Sequence, residues 1–159
     1  MPLNCKPSFF AALAIIPVFM TSAYAVAQTA PPAKPASAME RTEHEWKSGS
    51  QSSTFGAHWM GAELKMIREE MNENAGMIEK NEYFFSAGAL LHYKQDRYPP
   101  PGKSGAAVAI MASFDKTGKP AMSMKRVDGK PAGPASPEDI AQAKKHLAEL
   151  LVVTARVKC

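Results

Sequence analysis

The fold is decided by a short stretch in the middle of the chain, Phe85-Ser86-Ala87-Gly88-Ala89-Leu90. An aromatic residue, a turn with glycine and a large apolar residue follow one another, which is the pattern of a β-hairpin. Glycine adopts the positive φ that the turn requires, and the flanking large residues pair across the two strands. The pattern recurs at residues 59–64 and, more loosely, at residues 114–120. Successive hairpins of this kind predict an antiparallel β-meander.

Reading outward from these turns predicts about five strands. We expect them at residues 63–71, 77–85, 89–96, 106–115 and 120–127. The region 58–71 has two interpretations, because its apolar residues also recur at helical spacing. We favour a strand there and keep a helix as the alternative.

A helix at the C-terminal end is indicated by its start signals. Ser136 fits the capping position, Pro137 fits the first helical position, and Asp139 lies three residues after the capping serine. Apolar residues then recur on one face from Ile140 to Leu151, so we expect this helix to cover one face of the sheet. The predicted fold class is α+β, an antiparallel β-meander of about five strands with a C-terminal helix packed on one face.

Three regions are predicted along the chain. Residues 1–27 have the features of a signal peptide, with Lys6 before an apolar run at residues 9–20 and small residues at the cleavage site. That run is shorter than the roughly 20 residues that cross a bilayer, so we expect an exported protein, periplasmic or secreted, with no membrane span after signal cleavage. Residues 28–54, rich in Pro, Ala and Ser, are predicted to be a disordered tether. Residues 55–159 then form a single α+β domain.

The cysteines indicate an unpaired thiol in the mature chain. Cys5 is removed with the signal peptide, which leaves Cys159 at the last position. A single thiol in an oxidising compartment cannot form an internal disulfide. Cys159 is therefore either a free terminal thiol or the link of a disulfide-bonded dimer.

Composition and charge limit the classes of function. The 159 residues are 45% apolar and 21% charged, with a formal net charge of +4, which excludes a fully disordered chain and argues against nucleic acid as a partner. Acids concentrate before residue 82 and bases after residue 92. The bases suggest a surface patch for an anionic polymer or an acidic envelope protein, while ordinary ion pairing with the acidic half is the interpretation that we favour. The candidate patch consists of Lys116, Lys119, Lys125, Arg126 and Lys130.

Catalytic motifs are missing from the sequence. It has no glycine-rich phosphate loop, no nucleophile elbow and no pair of cysteines at metal-ligand spacing. The acidic pairs Glu69–Glu70 and Glu79–Glu82 are expected on solvated strand faces. We therefore predict no enzyme activity, no catalytic residue and no cofactor. The predicted function is that of a non-enzymatic binding or inhibitory module of the bacterial envelope or exterior.

Methionine is the chemically unusual residue type. The predicted strand Pro120-Ala121-Met122-Ser123-Met124-Lys125 places two thioethers on the same face, and thioether sulfur is a soft ligand that suits Cu(I). This six-residue segment resembles the metal-binding strand of the periplasmic copper/silver efflux chaperones. The resemblance implies as copper ligands Met122, Met124 and one histidine, His58 or His92, with Trp59 as a cap.

The methionine pair has two interpretations. In the first, the protein is a periplasmic copper(I)-binding protein that uses the Met-x-Met strand, which is the alternative function. In the second, both methionines are adaptable core residues beneath the C-terminal helix. We expect the second, because no tryptophan directly precedes the Met-x-Met segment.

Overall fold

The computed structural model describes residues 38–72 and 76–156. These residues form eight β-strands and one α-helix in chain order: β1 Met39–Ser48, β2 Gln51–Met60, β3 Glu63–Asn72, β4 Ile78–Ser86, β5 Ala89–Tyr98, β6 Val108–Phe114, β7 Pro120–Val127, β8 Lys130–Pro131 and α1 Pro137–Arg156. Each strand is antiparallel to the next, and the order of the strands in the sheet is their order in the chain. The predicted α+β class, a β-meander with a packed C-terminal helix, is confirmed. The sheet has eight strands where about five were predicted.

The hairpin pattern forms as predicted. Phe85 and Leu90 are partners across the β4–β5 hairpin, and Trp59 and Leu64 are partners across the β2–β3 hairpin. Gly88 has a φ of 76°, a left-handed conformation that glycine adopts without strain. A β-bulge lies beside the aromatic residue in both hairpins and in the β6–β7 hairpin. The three bulges lie at the same end of the sheet, beside the β2–β3, β4–β5 and β6–β7 turns. Because bulges bend strands and increase their twist, they favour a sheet that curves around α1.

The folded region begins earlier than predicted. β1 and β2 occupy residues 39–60, so residues 39–54 of the predicted tether belong to the sheet. Gly49 forms the turn between these strands, within a serine-rich run that composition alone assigns to a linker. Trp46 and Phe55 explain why this hairpin joins the fold, since both are buried in the core. Residues 28–37 lie outside the described ranges.

The region 58–71 holds parts of two strands joined by a turn at residues 61–62, in agreement with the strand prediction. β2 ends at Met60, and β3 runs from Glu63 to Asn72, so the helical alternative is wrong. Ile67 and Met71 are both buried on one face of β3. The helical interpretation explains the same two residues as part of the apolar stripe of a helix. The remaining predicted strands correspond to β4, β5, β6 and β7.

The helix α1 begins where its capping signals place it. The Ser136 hydroxyl accepts a hydrogen bond from the Asp139 N–H at 3.1 Å, and the Asp139 carboxylate accepts one from the Ser136 N–H at 3.1 Å, so a capping box forms. The helix packs its apolar face against one face of the sheet, and the two surfaces make the core. The large buried side chains of the core are Trp46, Phe55, Ile67, Met71, Tyr83, Phe85, Tyr93, Ile110, Phe114, Ile140, Leu147 and Leu150.

Several predictions about the chain ends fall on residues that are not described. The signal peptide predicted at residues 1–27 and the thiol of Cys159 both lie outside the described ranges. Within residues 38–72 and 76–156, no helix has the length and apolar character needed to cross a membrane.

Candidate functional site

The two faces of the sheet differ in what they contact. Strand side chains alternate between the faces, and we call the face against α1 the inner face and the opposite one the outer face. On β4 the inner-face residues are Glu79, Asn81, Tyr83 and Phe85, and all four are buried. The inner face therefore brings polar and ionisable groups into the core together with apolar ones.

Glu69 of β3 lies at the centre of these buried polar groups. Its side chain is fully buried, and its carboxylate accepts hydrogen bonds from the Ser53 hydroxyl and from Asn81 Nδ2, the latter at 3.2 Å. His146 of α1 reaches the same carboxylate, with Nε2 2.8 Å from Oε2. A buried carboxylate is tolerated when it is paired and hydrogen-bonded, and side chains from β2, β4 and α1 meet that requirement here.

Asn81 connects Glu69 to the other polar groups of the inner face. Its Nδ2 also donates to Glu79 Oε1 at 2.8 Å, and its Oδ1 accepts from the Tyr93 hydroxyl at 3.1 Å. We refer to six side chains as the buried polar cluster: Ser53, Glu69, Glu79, Asn81, Tyr93 and His146. Because the cluster joins four strands to α1, it fixes the position of the helix on the sheet.

His146 is the group of α1 that enters the cluster. Burial alone favours its neutral ring, but the hydrogen bond and negative charge of Glu69, with the charges of Glu149 and Glu79, outweigh burial and raise the pKa of His146. The ring also packs edge-on against Trp46 of β1, with ring centroids 4.6 Å apart. His146 therefore links α1 to both β1 and β3.

The prediction that the acidic pairs lie on solvated faces is wrong for Glu69 and Glu79. Both are buried, whereas Glu70 beside Glu69 is exposed. Strand parity explains the difference, because Glu69 lies two residues from buried Ile67 and Glu79 lies four residues from buried Tyr83. Counting along the strands from these apolar residues would have placed both carboxylates on the inner face.

A groove with a volume of about 290 Å³ runs along α1 beside the buried polar cluster. We call it the α1 groove. The sheet and its β1–β2 turn line it with Trp46, Ser48, Gln51, Met71, Glu79, Tyr83, Tyr93, Gln95 and Arg97, and α1 lines it with Asp139, Gln142, Ala143, Lys145, His146 and Glu149. Most of these side chains carry hydrogen-bonding groups, so the groove is suited to a polar ligand.

Two tyrosines that line the groove differ in their hydroxyl partners. Tyr83 and Tyr93 are cross-strand partners, and their ring centroids are 5.1 Å apart in a stacked arrangement. Tyr93 donates to Asn81, whereas the buried Tyr83 hydroxyl has no hydrogen-bond partner among the described residues. Burial raises the pKa of both tyrosines, and the nearby charges of Glu69 and Glu79 raise it further. Both hydroxyls are therefore protonated donors.

The five basic residues of the candidate patch are dispersed. Lys116 and Lys119 lie in the turn between β6 and β7, and Lys130 lies on β8, beyond the other end of β7. Lys125 faces α1, where its Nζ lies 3.1 Å from a carboxylate in the first turn of the helix. Its neighbour Arg126 points to the opposite face, because side chains alternate along the strand. The structure does not bring these five side chains onto one surface, and Lys125 holds the start of α1 to the sheet.

The predicted methionine ligands lie on the outer face. Met122 is 71% exposed and Met124 is partly exposed, so the expectation that both are core residues beneath α1 is wrong. The register of β7 explains the difference. Ser123 and Lys125 pair with buried residues of β6 on the inner face, which leaves the two methionines on the outer face.

The other residues implied by the copper resemblance do not converge on this pair. His92 pairs with Ser113, which pairs with Met122, so His92 lies two strand spacings, about 10 Å, from Met122. His58 lies on β2, five strand spacings or about 24 Å along the sheet from β7. Trp59 faces inward, and its indole N–H donates to a threonine of β1 at 3.2 Å. In the described part of the chain, no three side chains of His, Cys, Asp and Glu are grouped as metal ligands.

Comparison with known proteins covered families, curated sequences and solved structures. No family model, no curated protein and no solved structure matches this chain. The functional interpretation therefore depends on the geometry of the α1 groove and of the outer face.

Proposed function

We propose that the protein is a non-enzymatic binding module of the bacterial envelope or exterior, and that the α1 groove is its ligand-binding site. Regular elements form the site, since β-strands and α1 supply most of its walls. Its volume of about 290 Å³ lies at the lower end of the range for ligand pockets, about 300–1,000 Å³. That size fits a ligand of disaccharide or dipeptide dimensions.

The single observation that carries this proposal is the hydroxyl of Tyr83. It is a buried donor with no hydrogen-bond partner in the described part of the chain, whereas the adjacent Tyr93 is paired. A buried polar group that is left unpaired costs about 1–3 kcal/mol. Tyr83 lines the groove and is itself covered, so a ligand oxygen becomes the acceptor for its proton when binding displaces the neighbouring groove side chains.

The charges that line the groove are balanced. The acids of the lining are Glu79, Asp139 and Glu149, and the bases are Arg97, Lys145 and His146, whose pKa is raised. Three glutamines, Gln51 on β2, Gln95 on β5 and Gln142 on α1, add amide groups that both donate and accept hydrogen bonds. A strongly charged ligand gains little from such a lining, whereas a neutral or zwitterionic one finds partners for each polar group. We therefore infer a small polar ligand, a saccharide or a short peptide.

The hydrogen bonds of the buried carboxylates separate a structural role for Glu69 from a ligand-facing role for Glu79. Both oxygens of Glu69 already accept hydrogen bonds, and Glu69 does not line the groove. Glu79 does line the groove, but one of its oxygens accepts from Asn81. A general base needs a lone pair within reach of the substrate proton. Glu69 therefore acts in holding the fold, and the groove presents donors and acceptors to a ligand.

Titrations followed by amide NMR spectra test this proposal. Diacetylchitobiose, a neutral saccharide, dialanine, a zwitterionic peptide, and dextran sulfate, a polyanion, are added separately to the protein. We expect the saccharide or the peptide to shift the amide signals of Tyr83, Gln95 and Gln142. Shifts confined to Lys116 and Lys119 with dextran sulfate, or no shifts with any probe, would contradict the proposal.

Two tyrosine variants make the test specific. Tyr83→Phe removes the unpartnered hydroxyl, and we expect it to weaken binding of the active probe by about tenfold. Tyr98→Phe removes a hydroxyl from the outer face, beside Lys80, and we expect it to bind like the wild type. Equal binding by both variants would show that the Tyr83 hydroxyl does not contribute to ligand binding.

A further inference from the structure

Three methionines lie together on the outer face, on the opposite side of the sheet from the α1 groove. Met111 of β6 and Met124 of β7 are direct cross-strand partners, and Met122 lies two residues before Met124 on the same strand. We call these three residues the methionine cluster. Met111 is 47% exposed and Met122 is 71% exposed, so both residues are open to solvent.

Strand geometry brings the three side chains within reach of one point. Directly opposed residues of antiparallel strands have α-carbons about 4.5–5.5 Å apart, and residues two apart on one strand are separated by about 7 Å. The diagonal neighbours Met111 and Met122 are about 7–8 Å apart. A methionine side chain has three rotatable bonds and a terminal thioether, so the three sulfurs are able to meet above the sheet surface.

We propose that the methionine cluster binds one Cu(I) ion through its three thioether sulfurs. Thioethers are soft, uncharged ligands that select Cu(I) over the hard cations, which prefer oxygen. The third sulfur comes from Met111 of β6, outside the Met-x-Met segment. It replaces the histidine that the resemblance to the copper/silver chaperones implies as the third ligand. This site is separate from the α1 groove and does not depend on the function proposed for the groove.

The charged neighbours of the methionine cluster are compatible with a bound cation. Lys94 is the cross-strand partner of Met111 on the β5 side. Its Nζ lies 2.6 Å from Asp96 Oδ2, so its charge is balanced within β5. Arg126 lies two residues after Met124 on the same face of β7 and is exposed, so water screens its charge. His92 on β5 is a diagonal neighbour of Met111 but lies two strand spacings from Met122 and Met124 on β7, so the three-sulfur set does not include it.

Anaerobic titration of Cu(I) against a competing bicinchoninate chelator tests the site. The full chain carries Cys5→Ser and Cys159→Ser in every sample, because a thiolate binds copper by itself. We expect one Cu(I) per chain, and each of Met111→Leu, Met122→Leu and Met124→Leu should lower the affinity by about tenfold or more. These replacements conserve volume at exposed or partly exposed positions, so the circular dichroism spectrum should be unchanged.

Two matched variants distinguish the cluster from other ligands. Met60→Leu breaks a second exposed methionine pair, Met60 with its cross-strand partner Met39, on β1 and β2 at the far edge of the sheet. His92→Gln removes the nearest predicted histidine ligand. We expect both to bind Cu(I) like the parent chain. The proposal is overturned by a loss of affinity in Met60→Leu or His92→Gln as large as in the cluster variants. It is also overturned if the chain without Met111, Met122 and Met124 still binds Cu(I) like the parent.

Discussion

The inner and outer faces of this sheet place similar ion pairs in different surroundings. On the inner face, His146 and Glu69 are 2.8 Å apart, with side chains 16% and 0% exposed. On the outer face, Arg68 and Glu82 are 2.9 Å apart, with side chains 58% and 27% exposed. The distances are nearly the same, so burial decides what each pair contributes. Removing one partner of the inner pair leaves a buried charge, whereas water replaces a lost partner on the outer face.

The largest effect on stability is expected when one partner is removed from the inner ion pair by mutation. His146→Ala should lower the free energy of unfolding by about 3–5 kcal/mol, because the Glu69 carboxylate stays buried without its cation. Arg68→Ala should lower it by less than about 1 kcal/mol. Urea denaturation of both variants measures the two values. Similar losses in the two variants would show that burial does not separate the pairs.

A smaller effect is expected for the two stacked tyrosines of the inner face. Tyr93→Phe should lower the free energy of unfolding by about 1 kcal/mol, because it leaves Asn81 Oδ1 without its donor. Tyr83→Phe should raise it by about 1 kcal/mol, because it removes a buried hydroxyl that has no partner. Urea denaturation again gives both values. Destabilisation by Tyr83→Phe would mean that the hydroxyl is already satisfied in the unliganded protein.

The smallest predicted effect is a pH dependence of the inner pair. The pKa of His146 is raised above 6.5, because Glu69 and its acidic neighbours outweigh the effect of burial. The folded state therefore favours the protonated ring, and the stability from this pair is complete below pH 6.5 and lost as pH rises through the raised pKa. The difference in unfolding free energy between the wild type and His146→Ala should shrink over that range. A constant difference would refute the assignment of a charged His146.

Local patterns in the sequence were sufficient to predict the hairpins and the helix. The pairing of Phe85 with Leu90 depends on a turn of a few residues, and the start of α1 depends on Ser136 and Asp139, three residues apart. Interactions at this range are encoded in contiguous sequence. The β-meander then follows because successive hairpins place each strand beside the next.

The buried polar cluster could not be predicted in the same way. His146 and Glu69 are 77 positions apart in the chain, and nothing local to either residue indicates the other. The alternation of side chains along β3 and β4 predicts part of the cluster. Glu69 and Glu79 are an even number of residues from the apolar Ile67 and Tyr83, so both belong to the inner face. The partner on α1 becomes visible only when the helix is placed on the sheet.

Composition alone misplaces the outer-face methionines and the first hairpin, because it carries no information about strand register. Methionine is apolar, so Met122 and Met124 were assigned to the core, although the alternation of β7 places Ser123 and Lys125 there. The serine-rich turn around Gly49 was assigned to a tether, although it connects two strands that carry buried aromatic residues. In both regions the face of each strand was the missing information.

Thermal unfolding of the wild type and Tyr83→Phe tests most directly whether the α1 groove binds its ligand through Tyr83. Each protein is heated with and without the probe, diacetylchitobiose or dialanine, that shifts the groove amides. A ligand that binds the folded state raises the Tm by an amount that grows with the logarithm of one plus the ratio of ligand concentration to Kd. We predict a rise in the wild type and a much smaller rise in Tyr83→Phe, even though the variant alone is the more stable protein. An equal rise in the two proteins would contradict a role of the Tyr83 hydroxyl in binding.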